Sequence, residues 1–408
     1  MSVISLFSGS FCKTEQVIGV LLPRTKYTAV SDQDMVAEAA KISGLAVNRI
    51  ERVFSAKTSV FNRFTHEKER SISYLRLALA QTLSKDNLLI AGFSAHLIPR
   101  GINHVLRACL IAEMKFRTAL AVEHQDASPK EAAKLIHKQD EDRATWVDNL
   151  TGSKDPWDPS HYDIVIPVDK MSPEEAADLI EENLAKDIVR STDASRKAVK
   201  DFLLTAHVEV ALAEKGHNVD ARAEDGSVEI TINEHVLALG KLEEELKSIA
   251  EKVPGVKSVS TRVGKDFYQA DIYRKYDFEM PSKVLLVDDE REFVQTLSER
   301  LLMRDMGSVV AYDGQSALDL VHGDEPEVMI LDLRMPGIDG IEVLRRVKKS
   351  KPAIEIIILT GHGSEADRKI CMELGAFAYL QKPVDIDVLS DTLKKANEKI
   401  RQKKLEKD

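Results

Sequence analysis

From residue 283 onward the apolar positions come in short unbroken runs: Val284 to Val287, Val309 to Ala311, Val328 to Leu331, Ile356 to Leu359 and Ala378 to Leu380. Between them Phe293, Val294, Leu297 and Leu301 recur at the three- and four-residue interval that turns one helix face toward a core. Runs that are apolar at every position, not at every second one, suit strands covered by helices on both faces. The pattern over 283–400 predicts a doubly wound, five-stranded parallel sheet.

Residues 197–270 follow another rhythm. A helix from Val199 to Glu214, a strand from Val228 to Ile232, a helix from Leu239 to Lys252 and a strand from Val256 to Val263 are punctuated by Asp225-Gly226 and Pro254-Gly255, two turn dipeptides. This predicts a small α+β module, with the polar stretch Tyr268 to Ser282 as a linker. Residues 1–190 open with a strand from Val3 to Phe7 and pass through helical patterns to a strand from Leu88 to Phe93. They close with a strand from Asp163 to Val168 and a helix from Pro173 to Leu184, again an α/β arrangement. The helix from Pro129 to Leu150 carries alternating charge, as solvent-facing helices do. The expected whole is an α/β multidomain protein.

A length of 408 residues with 43% apolar and 30% charged side chains supplies several cores and excludes a mainly disordered or collagen-like chain. The net charge of -10 opposes a phosphate backbone, and the basic run from Lys394 to Lys407 is broken by Glu398 and Glu406, so nucleic acid is not an expected partner. Cys12, Cys109 and Cys371 lack the spacing of a zinc knuckle or a disulfide framework, which fits a reducing cytoplasm. The opening MSVISLFSGS has no basic leader, and no run approaches the roughly 18 to 20 apolar residues that span a bilayer, so membrane insertion is not expected.

The candidate chemistry sits at strand ends. Asp288 and Asp289 follow the first C-terminal strand and Asp332 the third. In a parallel sheet these ends share one edge, where ligands bind. Crowded carboxylates repel one another, and a hard divalent cation such as Mg2+ relieves that repulsion while keeping room for phosphate oxygens. Thr360 closes the fourth strand and Lys382 follows the fifth, adding a hydroxyl and an ammonium to the edge. A carboxylate there could take a phosphoryl group, its oxygens neutralised by metal and lysine. Each residue alone has a plain structural reading as a helix cap, strand residue or turn; the set of them at four strand ends is what points to chemistry.

The segments VLLVDDE, MILDLRMPGIDG, IILTGHG and YLQKPVD resemble the signature segments of response-regulator receiver domains, which have a flavodoxin-like fold. The resemblance implies that Asp332 is the phosphoacceptor. It implies further that Asp288, Asp289 and Asp332, with the backbone carbonyl of Arg334, hold Mg2+, and that Thr360 is the switch hydroxyl, Lys382 the phosphate partner and Tyr379 the aromatic switch. A sensor histidine kinase is the implied donor. The implied output surface runs over Glu365 to Leu374, Ala376 to Leu380 and Ile386 to Ile400, and Arg334 and His362 are the implied tuners of phosphoryl lifetime.

At the other end, SGSFCKT over residues 8–14 lies between a strand and a helix, with Lys13 and Thr14 in the places of a phosphate-cradling loop. Cys12 stands where such a loop needs glycine before the lysine, and its β-carbon should obstruct the nest of backbone N–H groups. Residues 1–190 resemble the cytidylate-kinase-like family, most closely over SPKEAAKLIHKQDEDRATWVDNLTGSKDPWDPSHYDIVIPVDKMSPEEAADLI. This implies a P-loop-kinase-like domain, ATP or another nucleotide as ligand, and Arg143 as a lid arginine. Gly92, Phe93 and Ser94 replace the arginine-bearing turn of that family, so a catalytically degenerate domain is expected. EDGSVEITI and PGVKSVSTRV resemble a BON domain, a fold of binding and association.

The reading is therefore a cytoplasmic response regulator with a kinase-like domain over 1–190, a BON-like module over 197–270 and a receiver over 283–400, whose output is not DNA binding but contact with an unidentified protein, a ligand-dependent state of the N-terminal domains, or phosphoryl relay. Two alternatives stand beside it: a nucleotide kinase or nucleotide sensor regulated by its receiver, and a scaffold. Loss of ATP binding in Lys13→Ala would speak for the first, and partner binding indifferent to Asp332→Asn for the second.

Overall fold

Along the first strand the side chains alternate: Val3 and Phe7 enter one core, Ile4 and Leu6 another, as the two-residue period of a strand requires. The strand is thus the centre of a sheet covered on both faces. In the computed structural model, which describes residues 2–234, 236, 239–264, 267, 281–304, 306–361 and 363–405, this sheet is built from β1 (Val3–Ser8), β2 (Thr28–Ser31), β3 (Leu88–Ala91), β4 (Val105–Ile111) and β5 (Ile164–Pro167). All are parallel, in the order β2-β3-β1-β4-β5. The expected linker falls largely outside the described residues, as does His362.

Helices around this sheet begin where the sequence supplies caps. Ser31 and Asp34, Ser128 and Glu131, and Ser172 and Glu175 form reciprocal capping boxes for the helices Asp32–Ser43, Pro129–Thr151 and Pro173–Leu184. Gly152 ends the long helix in the left-handed conformation that glycine adopts without a Cβ clash.

The helix Asp193–Glu214 buries Val199, Phe202, Ala206 and Val210 in the same core as Val3 and Phe7. It also packs on β6 (Asp220–Glu224) of a three-stranded sheet completed by β7 (Ser227–Ile232) and β8 (Ser258–Val263), in the order β6-β7-β8. Asp225 and Gly226, at φ 52 and 84, make the two-residue turn that joins β6 to antiparallel β7. The helix Leu239–Ala250 packs beside them and returns the chain to β8, parallel to β7. Because one helix serves both sheets, they form a single compact unit, Met1–Thr58, Lys68–Glu214 and Val219–Ile272.

The second unit comprises Ser59–Glu67, Lys215–Asn218 and Tyr273–Asp408. Its strands are β9 (Val284–Val287), β10 (Ser308–Ala311), β11 (Val328–Leu331), β12 (Glu355–Thr360) and β13 (Ala378–Gln381). They are parallel in the order β10-β9-β11-β12-β13, the flavodoxin-like order. Leu285, Val287, Met329 and Ile356 face one core and Val284, Leu286, Ile330 and Ile357 the other, which explains the unbroken apolar runs. Among the described residues no helix is long and apolar enough to cross a membrane.

Candidate functional site

Val287 of β9 pairs with Leu331 of β11, so the residues that follow them emerge side by side. Asp288 N–H donates to the Ala311 carbonyl at 3.1 Å and Asp332 N–H to the Val287 carbonyl at 2.9 Å; the sheet ladder thus continues far enough to fix both acids. One carboxylate oxygen from each of Asp288, Asp289 and Asp332 lies within 4.8 Å of the others. Asp288 and Asp332 are buried and Asp289 is exposed. Asp332 Oδ1 accepts the Leu333 N–H at 2.7 Å, and Asp288 Oδ1 accepts the Glu290 N–H at 3.0 Å. Behind Asp332 the helix Gly340–Ser350 starts so close that a Cβ on Gly340 would run into the Asp332 carbonyl oxygen and Leu333 Cα. Only glycine permits that approach.

Lys382, just after β13, reaches into this cluster. Its Nζ is 2.7 Å from Asp288 Oδ2, 3.0 Å from Glu290 Oε1 and 3.5 Å from Asp332 Oδ2, and lies 4.3 Å from the centroid of the Phe293 ring. Burial holds the Asp288 carboxyl above the usual carboxylate range, against the pull of Lys382 and the Glu290 N–H. Burial also disfavours the Lys382 charge, but its hydrogen bonds to Asp288 and Glu290 outweigh that and hold the ammonium above its ordinary value. The two shifts share a direction but not a cause: burial retains the proton on Asp288, and the neighbouring carboxylates retain it on Lys382.

Thr360 ends β12 fully buried, and its carbonyl accepts the Lys382 N–H at 3.0 Å. Tyr379, half-buried in β13, packs on the second unit's core; its hydroxyl lies against Gly363, where a Cβ would collide with it, and has no hydrogen-bond partner. Arg334 follows the acid with an exposed guanidinium, 3.7 Å from Asp367 Oδ2. The edge therefore brings together Asp288, Asp289, Asp332, Thr360 and Lys382: hard oxygen donors of the kind Mg2+ prefers, with a cation beside the central carboxylate.

The loop after β1 is built differently. Phe11 and Lys13 both adopt left-handed backbone conformations, at φ 57 and 52, positions that cost a side-chain-bearing residue about 1 kcal/mol each. Cys12 is buried, which pushes its thiol up to about 11. A Cβ on Gly9 would meet both Cys12 Sγ and the Arg117 guanidinium. Arg117 donates from Nε to the Ser10 carbonyl at 2.7 Å and pairs through both terminal nitrogens with Asp140 at 2.9 and 2.6 Å. Arg143 donates to the Ser8 carbonyl at 2.7 Å, and burial holds its guanidinium below the ordinary value. Thr14 Oγ1 donates to Ser8 Oγ at 2.8 Å, and Lys13 Nζ lies 5.0 Å from the Phe116 ring centroid. Lys13, Thr14 and Arg143 thus do meet at one loop, with Cys12 and Arg117 both close to Gly9.

Residues 284–394 match the response regulator receiver domain. Among solved structures, a response regulator receiver domain protein from Clostridium thermocellum is 34% identical, the match covering 30% of this chain and 97% of that one, with a TM-score of 0.28. The receiver domain of response regulator 1452 from Francisella is 29% identical over 29% of this chain and 98% of its own, with a TM-score of 0.28. Chemotaxis protein CheY4 from Vibrio cholerae is 29% identical over 28% of this chain and 97% of its own, with a TM-score of 0.27. The C-terminal domain belongs to the response regulator receiver domains. Residues 7–170, ahead of the receiver, match the cytidylate kinase-like family.

Three features of the receiver escaped the sequence reading. Glu290 shares Lys382 with Asp288; it stands directly after the acidic pair, so the run Asp288-Asp289-Glu290 was its only signal. The close passage of Gly340 past Asp332 and the fit of Tyr379 against Gly363 depend on tertiary geometry that no local spacing displays.

Proposed function

We propose that Asp332 is the phosphoacceptor of this response regulator and that a sensor histidine kinase is its donor. The observation that carries the reading is the convergence of Asp288, Asp289 and Asp332 within 4.8 Å, with Lys382 Nζ 3.5 Å from Asp332. Asp288, Asp289, Asp332 and the Arg334 backbone carbonyl are the residues that would hold Mg2+. When bound, that ion supplies positive charge against the phosphoryl oxygens. An Asp332 carboxylate oxygen attacks phosphorus, a P–O bond forms, the donor's P–N bond breaks, and its electron pair returns to the imidazole. Lys382 neutralises one phosphoryl oxygen, and Thr360 donates its hydroxyl hydrogen to another. The new charge biases a two-state surface that includes Tyr379, and the output is a protein contact in the cytoplasm.

The N-terminal domain is assigned to ligand or partner response and not to phosphoryl transfer, because the buried Cys12 stands in the place of the glycine that a phosphate-cradling loop needs before its lysine. Lys13, Thr14 and Arg143 are the residues through which ATP would bind; an active kinase regulated by its receiver would show ATP binding that is lost in Lys13→Ala.

The test is loading with acetyl phosphate in the presence of Mg2+. Acid-labile phosphate should appear on the wild-type chain, fall away with EDTA, and be absent from Asp332→Asn. Label that survives in Asp332→Asn, or a wild-type chain that never takes label, overturns the proposal.

A further inference from the structure

Lys382 has partners of two kinds. Asp288, Glu290 and Asp332 offer carboxylate oxygens at 2.7, 3.0 and 3.5 Å from its Nζ, and Phe293 offers the face of its ring, with the centroid 4.3 Å away. An ammonium over a ring face is held by the negative side of the ring quadrupole, more strongly where water is excluded. Water is largely excluded at this point, since the Lys382 side chain is only 10% exposed.

These partners do not serve equally through a reaction. If Asp332 takes the phosphoryl group and Asp288 helps to hold the metal, both carboxylates change partners as the site is loaded. Glu290 is not consumed, but its side chain is 65% exposed, and an ion pair so open to solvent is screened and contributes little. The Phe293 ring carries no charge and offers neither a metal ligand nor a phosphoryl acceptor. It can therefore hold the ammonium in the same way before and after transfer.

Local structure fixes the ring. Phe293 lies in the first turn of the helix Arg291–Leu302 and is partly buried against the core that contains Leu286, Leu297 and Leu359. The aliphatic stem of Lys382 passes Gly361, where an added Cβ would lie 3.9 Å from the lysine Cβ and Cδ. The free end of a lysine is among the costliest to immobilise. Pinning it in advance spares that cost when the phosphoryl group arrives.

We propose, on the footing that Asp332 is the phosphoacceptor, that Phe293 is a positioning residue: its ring face keeps the Lys382 ammonium in place for a phosphoryl oxygen while the carboxylates around it take up metal and phosphoryl group.

The test puts phenylalanine analogues with one, two or three ring fluorines at position 293 of the full chain, which weaken the negative ring face stepwise and nearly preserve its shape. Phosphoryl uptake from acetyl phosphate at saturating Mg2+ should slow at each step, and Phe293→Leu, which keeps an apolar side chain, should be about tenfold slower than the wild type. In Lys382→Met the same series should be flat, because no ammonium is left to hold. A second readout needs neither metal nor phosphate. In the metal-free chain the ε-methylene protons of Lys382 should resonate upfield of the ordinary lysine position, shielded by the ring, and return to it in Phe293→Leu; the upfield shift should persist after loading. Uptake level across the fluorinated series, a trend that remains in Lys382→Met, or an upfield shift that is absent or vanishes on loading overturns the proposal and leaves Asp332 as the acceptor. A wild-type chain that takes no label, or label undiminished in Asp332→Asn, removes the Asp332 reading and this role for Phe293 with it.

Discussion

Lys382 and Asp288 form a 2.7 Å ion pair across the ends of β13 and β9. The same ammonium is 3.5 Å from Asp332, so in this state the lysine is committed mainly to a proposed metal-binding acid and only secondarily to the proposed phosphoacceptor. A cation binding at Asp288 must compete with it. Lys382→Met should therefore raise the affinity for Mg2+ by about tenfold, through removal of a like charge from a partly buried site, while slowing phosphoryl uptake from acetyl phosphate. Titration with Mg2+ and a phosphorylation time course on the same variant separate the two effects; weaker Mg2+ binding would contradict the argument.

Glu355, at the start of β12, is fully buried and accepts from Lys399 at 3.1 Å and Lys403 at 2.9 Å, with Lys348 at 3.7 Å. Burial alone would raise its pKa, but these lysines outweigh it and hold the carboxyl below its ordinary 4.5. A depressed folded-state pKa means stability that is fully present above 4.5 and lost as pH falls through the lower, folded value. Glu355→Gln should cost about 2 kcal/mol at neutral pH. In urea unfolding followed from pH 7 downward, the gap between variant and wild type should stay constant and then narrow below pH 4.5. A gap that widens on acidification would show the sign to be wrong.

Gly92 is held at φ 108 and ψ -154, a region reserved for glycine. A Cβ there would fall on the Asp32 carboxylate, which accepts the N–H groups of Phe93 and Ser94 at 2.8 Å each. Gly92→Ala should destabilise the first unit by about 2 kcal/mol or more, read as a lowered urea midpoint, with phosphorylation of the receiver unaffected.

Cys12 and Arg117 both lie against Gly9. Cys12→Gly removes the buried thiol beside Gly9 and should cost about 1 kcal/mol in stability through lost packing. It should also bind ATP more tightly than the wild type in equilibrium dialysis, because a backbone without Cβ can close around phosphate. Equal or weaker binding would show that Cys12 is not the obstacle.

The receiver sheet was legible because its strands are buried on both faces and hence apolar at every position. Its site was legible because acids, hydroxyl and ammonium stand where those runs stop. Three strands were not anticipated. Thr28–Ser31 and Asp220–Glu224 are short and largely exposed, so burial wrote no pattern into them. Val105–Ile111 is interrupted by Arg107, whose guanidinium donates to the Pro99 carbonyl at 2.9 Å and so places a charge inside an otherwise apolar run. The Asp225-Gly226 turn was visible, but β6 before it was not, since Asp-Ala-Arg-Ala-Glu has no β-branched residue. The Arg117–Asp140 pair beneath the loop links two helices and leaves no mark in local sequence.

The helix Asp193–Glu214 makes the apparent seam near residue 190 a poor place to cut. A fragment stopped there would lose part of the core to which Val3 and Phe7 belong, and one begun just beyond it would offer Val199, Phe202, Ala206 and Val210 to water. Both pieces should aggregate when expressed apart. Recombination that shuffles such modules would have to carry the two sheets and their common helix as one parcel.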